Sequence, residues 1–129
     1  MTAWTSDELK KIGDAEELQI AARQNDGTLR KPVTIWVVPL GENLYVRSVN
    51  GRTSAWFRGV QTRHEGHIRA GGVDKDVTFV EEPDANINNQ LDAVYAAKYR
   101  RYAASIISHI NGSEARAATI KLVLRSTSS

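Results

Sequence analysis

The sequence contains no cysteine, which excludes disulfides, thiolate metal centres and cysteine nucleophiles together. It has no apolar run approaching the roughly 20 residues of a membrane-spanning helix. Its opening residues, Met1 to Glu8, lack the basic and apolar regions of a secretion signal. The expectation is a soluble, cytoplasmic protein with no membrane partner. There is no Gly-x-Gly-x-x-Gly after a first strand, so a Rossmann nicotinamide site has no support. There is no Gly-x-Ser-x-Gly and no serine with a recognisable histidine partner, so hydrolase chemistry has none either.

What is present is an ordinary globular composition of 129 residues, 41% hydrophobic and 25% charged, enough for one domain with one core. The net charge of +2 is distributed unevenly. Between Asn43 and Gly72, Arg47, Arg52, Arg58, Arg63 and Arg69 face only Glu65. Between Val73 and Asp92, Lys75 stands against Asp74, Asp76, Glu81, Glu82, Asp84 and Asp92. One basic corner beside an acidic segment suits a small anion and not a polyanion, so no nucleic-acid partner is expected.

Thr5-Ser6-Asp7-Glu8 has the spacing of a capping box and predicts a short helix over 5–12. Leu18, Ile20 and Ala22 alternate with polar residues as in a strand, and Asn25-Asp26-Gly27 is a turn signal. Pro32 to Pro39 is rich in β-branched residues and reads as a single strand, paired through Gly41-Glu42-Asn43 with Leu44 to Ser48. Gly71-Gly72 joins His67–Ala70 to Val73–Val80 in a second hairpin. Asp84 caps a main helix over about 85–101, with Ile87, Leu91, Val94, Tyr95, Lys98 and Tyr102 along one face. Ser113 begins a capped helical turn, Ile120–Leu124 is a last strand, and 126–129 is a flexible tail. The class is α+β: a single domain over 1–129 with six antiparallel strands and flanking helices, which a small barrel closes economically.

The stretch Ser48 to Arg58 carries the strongest functional signal. Thr53 or Ser54 can cap a short helix whose free amides, with Arg47, Arg52 and Arg58, make a corner suited to phosphate oxygens. Gly51 permits close approach of the backbone, and Trp36, Tyr45 or Trp56 offers a flat wall for an aromatic ring. The competing reading is that Trp56 and Phe57 plug the barrel while the arginines are solvated. His64 and His67 have no third ligand partner, so no metal is expected. Tyr95 and Lys98 are three apart and read as helix packing, while the acidic residues from Asp74 to Glu82 read as solubilising charge.

Arg23-x-x-Asp26-Gly27-x-x-Arg30-x-Pro32-Val33-x-Ile35-Trp36, Leu44-Tyr45-Val46-Arg47-Ser48 and Asp92-Ala93-x-Tyr95-x-x-Lys98-Tyr99-x-x-Tyr102 resemble a bacterial family of small proteins known only as a domain of unknown function. More distantly, Ser48-x-x-Gly51 followed by Ala55-Trp56-Phe57 and the Gly71-Gly72 hairpin resembles the deazaflavin-dependent nitroreductases. These belong to the split-barrel group that includes pyridoxamine phosphate oxidases. That resemblance implies a split β-barrel, a homodimer, and FMN or a deazaflavin coenzyme held by its phosphate near the matching loop. Carried over by position, Ser48, Asn50, Gly51 and Trp56 belong to that loop, with Arg47 and Arg52 as phosphate partners. Val49 replaces the family's basic residue after the serine, and its Gly-Arg-Lys-Ser-Gly-like hairpin is missing. The expectation is therefore a flavin- or deazaflavin-binding protein in which the cofactor performs any hydride chemistry. The alternative is a module of the same fold with no redox cofactor, holding a small anionic ligand or a partner protein.

Overall fold

The computed structural model describes residues 4–49 and 51–124. Asn50 and the predicted tail 126–129 lie outside the described residues. Helix α1 (Ser6–Asp14) starts at a complete capping box: the Glu8 amide donates to Thr5 Oγ1 at 3.1 Å and the Thr5 amide donates to Glu8 Oε1 at 2.9 Å. Both groups would otherwise be orphans of the first turn. The helix buries Ile12 in the main core.

Seven strands follow: β1 (Leu18–Ala22), β2 (Val33–Ile35), β3 (Val37–Leu40), β4 (Asn43–Arg47), β5 (Glu65–Ala70), β6 (Val73–Glu81) and β7 (Thr119–Leu124). All pairings are antiparallel, in the order β2-β1-β5-β6-β7-β4-β3. The two edge strands are consecutive in the chain, so the sheet curls into a nearly closed barrel. Here the expected six strands become seven. The run from Pro32 to Pro39, read as one strand, breaks at Trp36: Val33–Ile35 pairs with β1 and Val37–Leu40 with β4.

The break is held by a tyrosine. Tyr99 Oη accepts from the Val37 amide at 3.2 Å, lies 3.1 Å from the Val37 carbonyl and donates to the Glu16 carbonyl at 2.8 Å. Lys98 Nζ donates to the same Val37 carbonyl at 2.5 Å. Backbone groups released where the strand changes partners are thus satisfied by side chains rather than left buried and unpaired.

The barrel interior is filled from alternate strand positions, including Leu18, Ile20, Val37, Leu44, Val46, Ile68, Val77, Phe79, Ile120 and Leu122. Helix α2 (Ala55–Arg63) adds Phe57 and Val60 to this core. Each such side chain contributes roughly 1.5–3 kcal/mol on burial. Gly66 permits the tightest contact: a Cβ there would lie 2.2 Å from the Ala21 carbonyl oxygen and 2.7 Å from the Phe79 ring. The Gly71-Gly72 turn between β5 and β6 has φ of +56° and +86°, the conformation a two-residue hairpin of this twist demands.

A second core lies outside the barrel, where α3 (Ala85–Lys98) crosses β3 and β4. Leu91, Tyr95 and Tyr99 meet Val38 and Tyr45, joined by Ile110 of α4 (Ala104–Ile110) and Ala115 of α5 (Ser113–Arg116). Asp84 caps α3 by accepting from the Ile87 amide at 3.0 Å. No described helix is long and apolar enough to cross a membrane.

Candidate functional site

Arg47, expected to face a phosphate, ends β4 with its side chain fully buried. Its guanidinium donates to Thr119 Oγ1 at 3.0 Å, Asp92 Oδ1 at 2.7 Å and Asn111 Oδ1 at 3.0 Å. It also donates to the Ile110 carbonyl at 3.3 Å, and to the Asn88 carbonyl and Oδ1 at 3.0 and 2.9 Å. The same group lies 5.3 Å from the Tyr95 ring centroid, a cation–π contact strengthened by the burial of both side chains. Burial pushes the Tyr95 hydroxyl far above the usual phenol range. Asp92 also pairs with Arg116, and Asn88 donates to the Glu82 and Asp84 carbonyls at 3.0 Å each. Arg47 therefore joins β4, α3, α4 and β7, and every nitrogen of its fork is engaged within the fold.

Ser48 is buried beside it, and its hydroxyl lies 2.7 Å from the Gly51 carbonyl and 2.6 Å from Ser54 Oγ. Gly51 is buried at the start of a 3-10 turn, Gly51–Thr53, within 3.3 Å of Glu114 Cβ as measured from the position a Cβ would take. Ser48 and Gly51 thus fix the loop from within. Arg52 is partly exposed and donates to Glu81 at 2.7 Å and the Ala117 carbonyl at 2.9 Å, with its guanidinium 5.2 Å from the Phe57 ring. It lines a polar notch with Glu81, Glu82, Asn88, Arg116 and Thr119. Trp56 is half-buried, edge-on to Phe57 at 6.0 Å, while Arg58 is exposed on α2. Trp56 and Phe57 pack on the barrel core as the structural reading of this stretch expected.

Trp36 lies elsewhere. At the β2–β3 break one face of its indole stacks on Tyr99, with centroids 3.8 Å apart and planes 2° apart, and Tyr102 lies 4.9 Å away at 52°. Trp36 also lines a cavity of ≈ 480 Å³ with Glu17, Thr34, Ile35, Val49, Ser105, Ile106, His109 and Ile110. This volume falls within the roughly 300–1,000 Å³ of small-molecule sites. Val49 and Ile106 are large apolar side chains that remain 40% and 46% exposed. Of the expected site residues that are described, the structure therefore brings Trp36 alone to this cavity, where it meets Val49 from the loop. Arg47, Ser48 and Gly51 lie inside the fold, Arg52 lies on the separate notch, and Trp56 and Arg58 lie on α2.

The sequence reading missed α4, which supplies Ser105, Ile106, His109 and Ile110. Ile106, Ile107 and Ile110 at three- and four-residue spacing were the available signal. It also passed over Glu17 and Thr34, which line the same cavity. Glu17 has no hydrogen-bond or ion-pair partner among the described residues. Below the wall, burial lowers the Lys98 pKa to about 8 while Asp14 opposes the shift.

On β5 and β6, His67 is bracketed by Asp76, 2.7 Å from Nδ1, and by Asp74 at Nε2. Burial lowers its pKa, but hydrogen bonds to Asp76 and Asp74 outweigh that and raise it overall. Among the described residues no group of three His, Asp or Glu side chains is placed to hold a metal ion.

In fold the chain is similar to a solved F420 reductase, with 14% identity over 92% of each chain and a TM-score of 0.54. It is also similar to a FAD-binding protein from Mesorhizobium loti, with 16% identity over 97% of this chain and 93% of that one and a TM-score of 0.57. At these identities the likeness defines the class of fold, the α+β barrel that both of those proteins share with this chain. The chain belongs to the family described as "Uncharacterized protein conserved in bacteria (DUF2255)", whose pattern matches residues 8–122. No curated protein matches it.

Proposed function

We propose that the protein binds a flavin or deazaflavin coenzyme, with the ring system seated in the cavity beside Trp36. The observation that carries this reading is the cavity itself, an apolar slot walled by Trp36, Ile35, Val49, Ile106 and Ile110 within a fold shared with flavin- and F420-linked proteins. Trp36 is pre-oriented by its stack on Tyr99, so little rotamer freedom is lost when a second ring packs on the indole. The coenzyme supplies hydride chemistry when bound. The chain contributes a flat apolar seat and exclusion of water.

Among the described residues no guanidinium lines the cavity. The coenzyme's phosphate therefore needs a cation beyond it; Arg58, exposed on α2, is assigned that role, and Arg52 would have to leave Glu81 to share it. Arg47 is not, since its donors are engaged. The reading includes a homodimer in which a second copy covers Val49 and Ile106.

The test is a fluorescence titration with FMN and, separately, with a deazaflavin coenzyme. Micromolar binding of one of them is expected, weakened about tenfold in Trp36→Leu by lost stacking and apolar contact. Absence of binding by both overturns the proposal. It would favour the second reading, a non-redox module for a small anion or partner protein, which the Arg52–Glu81 notch supports.

A further inference from the structure

Among the described residues that line the Trp36 cavity, Glu17 is the carboxylate, Thr34 and Ser105 are hydroxyls and His109 is an imidazole, with no lysine or arginine. Lys98, the last residue of α3, donates to the Val37 carbonyl, and Arg101, in the turn that follows, pairs with Glu16, the residue beside Glu17. Glu17 itself is unpaired among the described residues. An unpaired carboxylate lining the same cavity as a tryptophan attracts a flat cation, through direct Coulomb attraction and through the negative face of the indole.

We infer that the cavity selects planar aromatic molecules that are cationic or uncharged and rejects anionic ones, with Glu17 as the specificity-determining residue. The inference shares its cavity with the flavin reading and extends it to the class of small molecule admitted beside Trp36. The oxidised flavin ring is uncharged near neutral pH, carries its phosphate on a side chain outside the ring and meets this requirement; a deazaflavin with an ionised ring hydroxyl does not. The chain's net charge of +2 would by itself favour anions, so a preference for cations has to be local in origin.

Three tricyclic probes of similar area separate the contributions: proflavine, a cation; acridine, uncharged; and anthracene-2-sulfonate, an anion. Each is titrated into the protein at about pH 8, above the ordinary imidazole range. Proflavine is expected to bind about tenfold more tightly than anthracene-2-sulfonate, with acridine between them. Glu17 is exposed, so solvent screening limits its share, and Glu17→Gln should weaken proflavine about threefold to fivefold while leaving acridine unchanged. Glu17→Lys should reverse the order of the charged probes. Trp36→Leu should weaken all three, which fixes the location.

Equal affinity for the charged probes, a preference unchanged in Glu17→Gln, or no binding of any probe overturns the inference. FMN and the deazaflavin coenzyme titrated into the same unsubstituted protein keep the two proposals apart. Binding of either coenzyme with no charge preference among the probes sinks this inference alone, and a charge preference among the probes with neither coenzyme bound sinks the flavin reading alone.

Discussion

Replacing Arg47 with methionine keeps most of the aliphatic volume and removes the guanidinium. The structure gives that group six hydrogen bonds, to Thr119, Asp92, Asn111, the Ile110 carbonyl and two oxygens of Asn88. Hydrogen bonds to a charged group contribute ~1.5–3 kcal/mol each, but they are not additive within a network. Asp92 keeps Arg116 as a partner and stays partly solvated, so its loss is small. Asn88, Thr119 and the Ile110 carbonyl lose a buried donor. Breaking one side of a buried charged network costs ~3–5 kcal/mol, a large share of the ~5–15 kcal/mol that holds a domain folded. For a chain of this size the melting temperature should fall by about 10–20 °C. Thermal unfolding followed by circular dichroism measures it. A variant melting within about 2 °C of the parent, especially one that has lost ligand affinity, would refute the reasoning and return Arg47 to a ligand site.

Two further predictions concern stability. Tyr99→Phe keeps the stack on Trp36 but removes the hydroxyl that accepts from the Val37 amide and donates to the Glu16 carbonyl. Urea unfolding should show a loss of ~1–3 kcal/mol, and an unchanged midpoint would mean that water replaces the hydroxyl. The raised His67 pKa, set by Asp76 and Asp74 against burial, stabilises the fold most fully below the unfolded imidazole pKa of ~6.5. That contribution is lost as pH rises through the folded value. His67→Gln should flatten the decline in melting temperature above ~6.5, and an identical decline in the variant would remove His67 as its source.

Local rules made much of the fold legible. The capping box at Thr5, the Asp84 cap and the Gly71-Gly72 hairpin depend on neighbours within four residues, and each has the geometry its residue types demand. The break at Trp36 was hidden because Val33 to Val38 has uniform β character. What divides it is a tyrosine 62 residues away that satisfies the Val37 amide. The site was less legible for the same reason. An arginine at a strand end has the same residue type whether it meets a ligand or a ring of buried acceptors, and the choice for Arg47 depends on Asn88, Asp92, Asn111 and Thr119 arriving from α3 to β7. Trp36 was identified as a flat wall, but its cavity is completed by α4, whose short apolar pattern carries no capping signal at Ala103.

Whether the Trp36 cavity is the ligand seat can be read from the three indole N–H signals of the labelled protein during titration with FMN and with a deazaflavin coenzyme. Trp4 donates to the Leu122 carbonyl inside the barrel core, Trp56 packs on Phe57, and Trp36 lines the cavity. The account predicts that Trp36 shifts while Trp4 and Trp56 stay in place. A shift at Trp56 with Trp36 unmoved, or no shift with either coenzyme in excess, would contradict it.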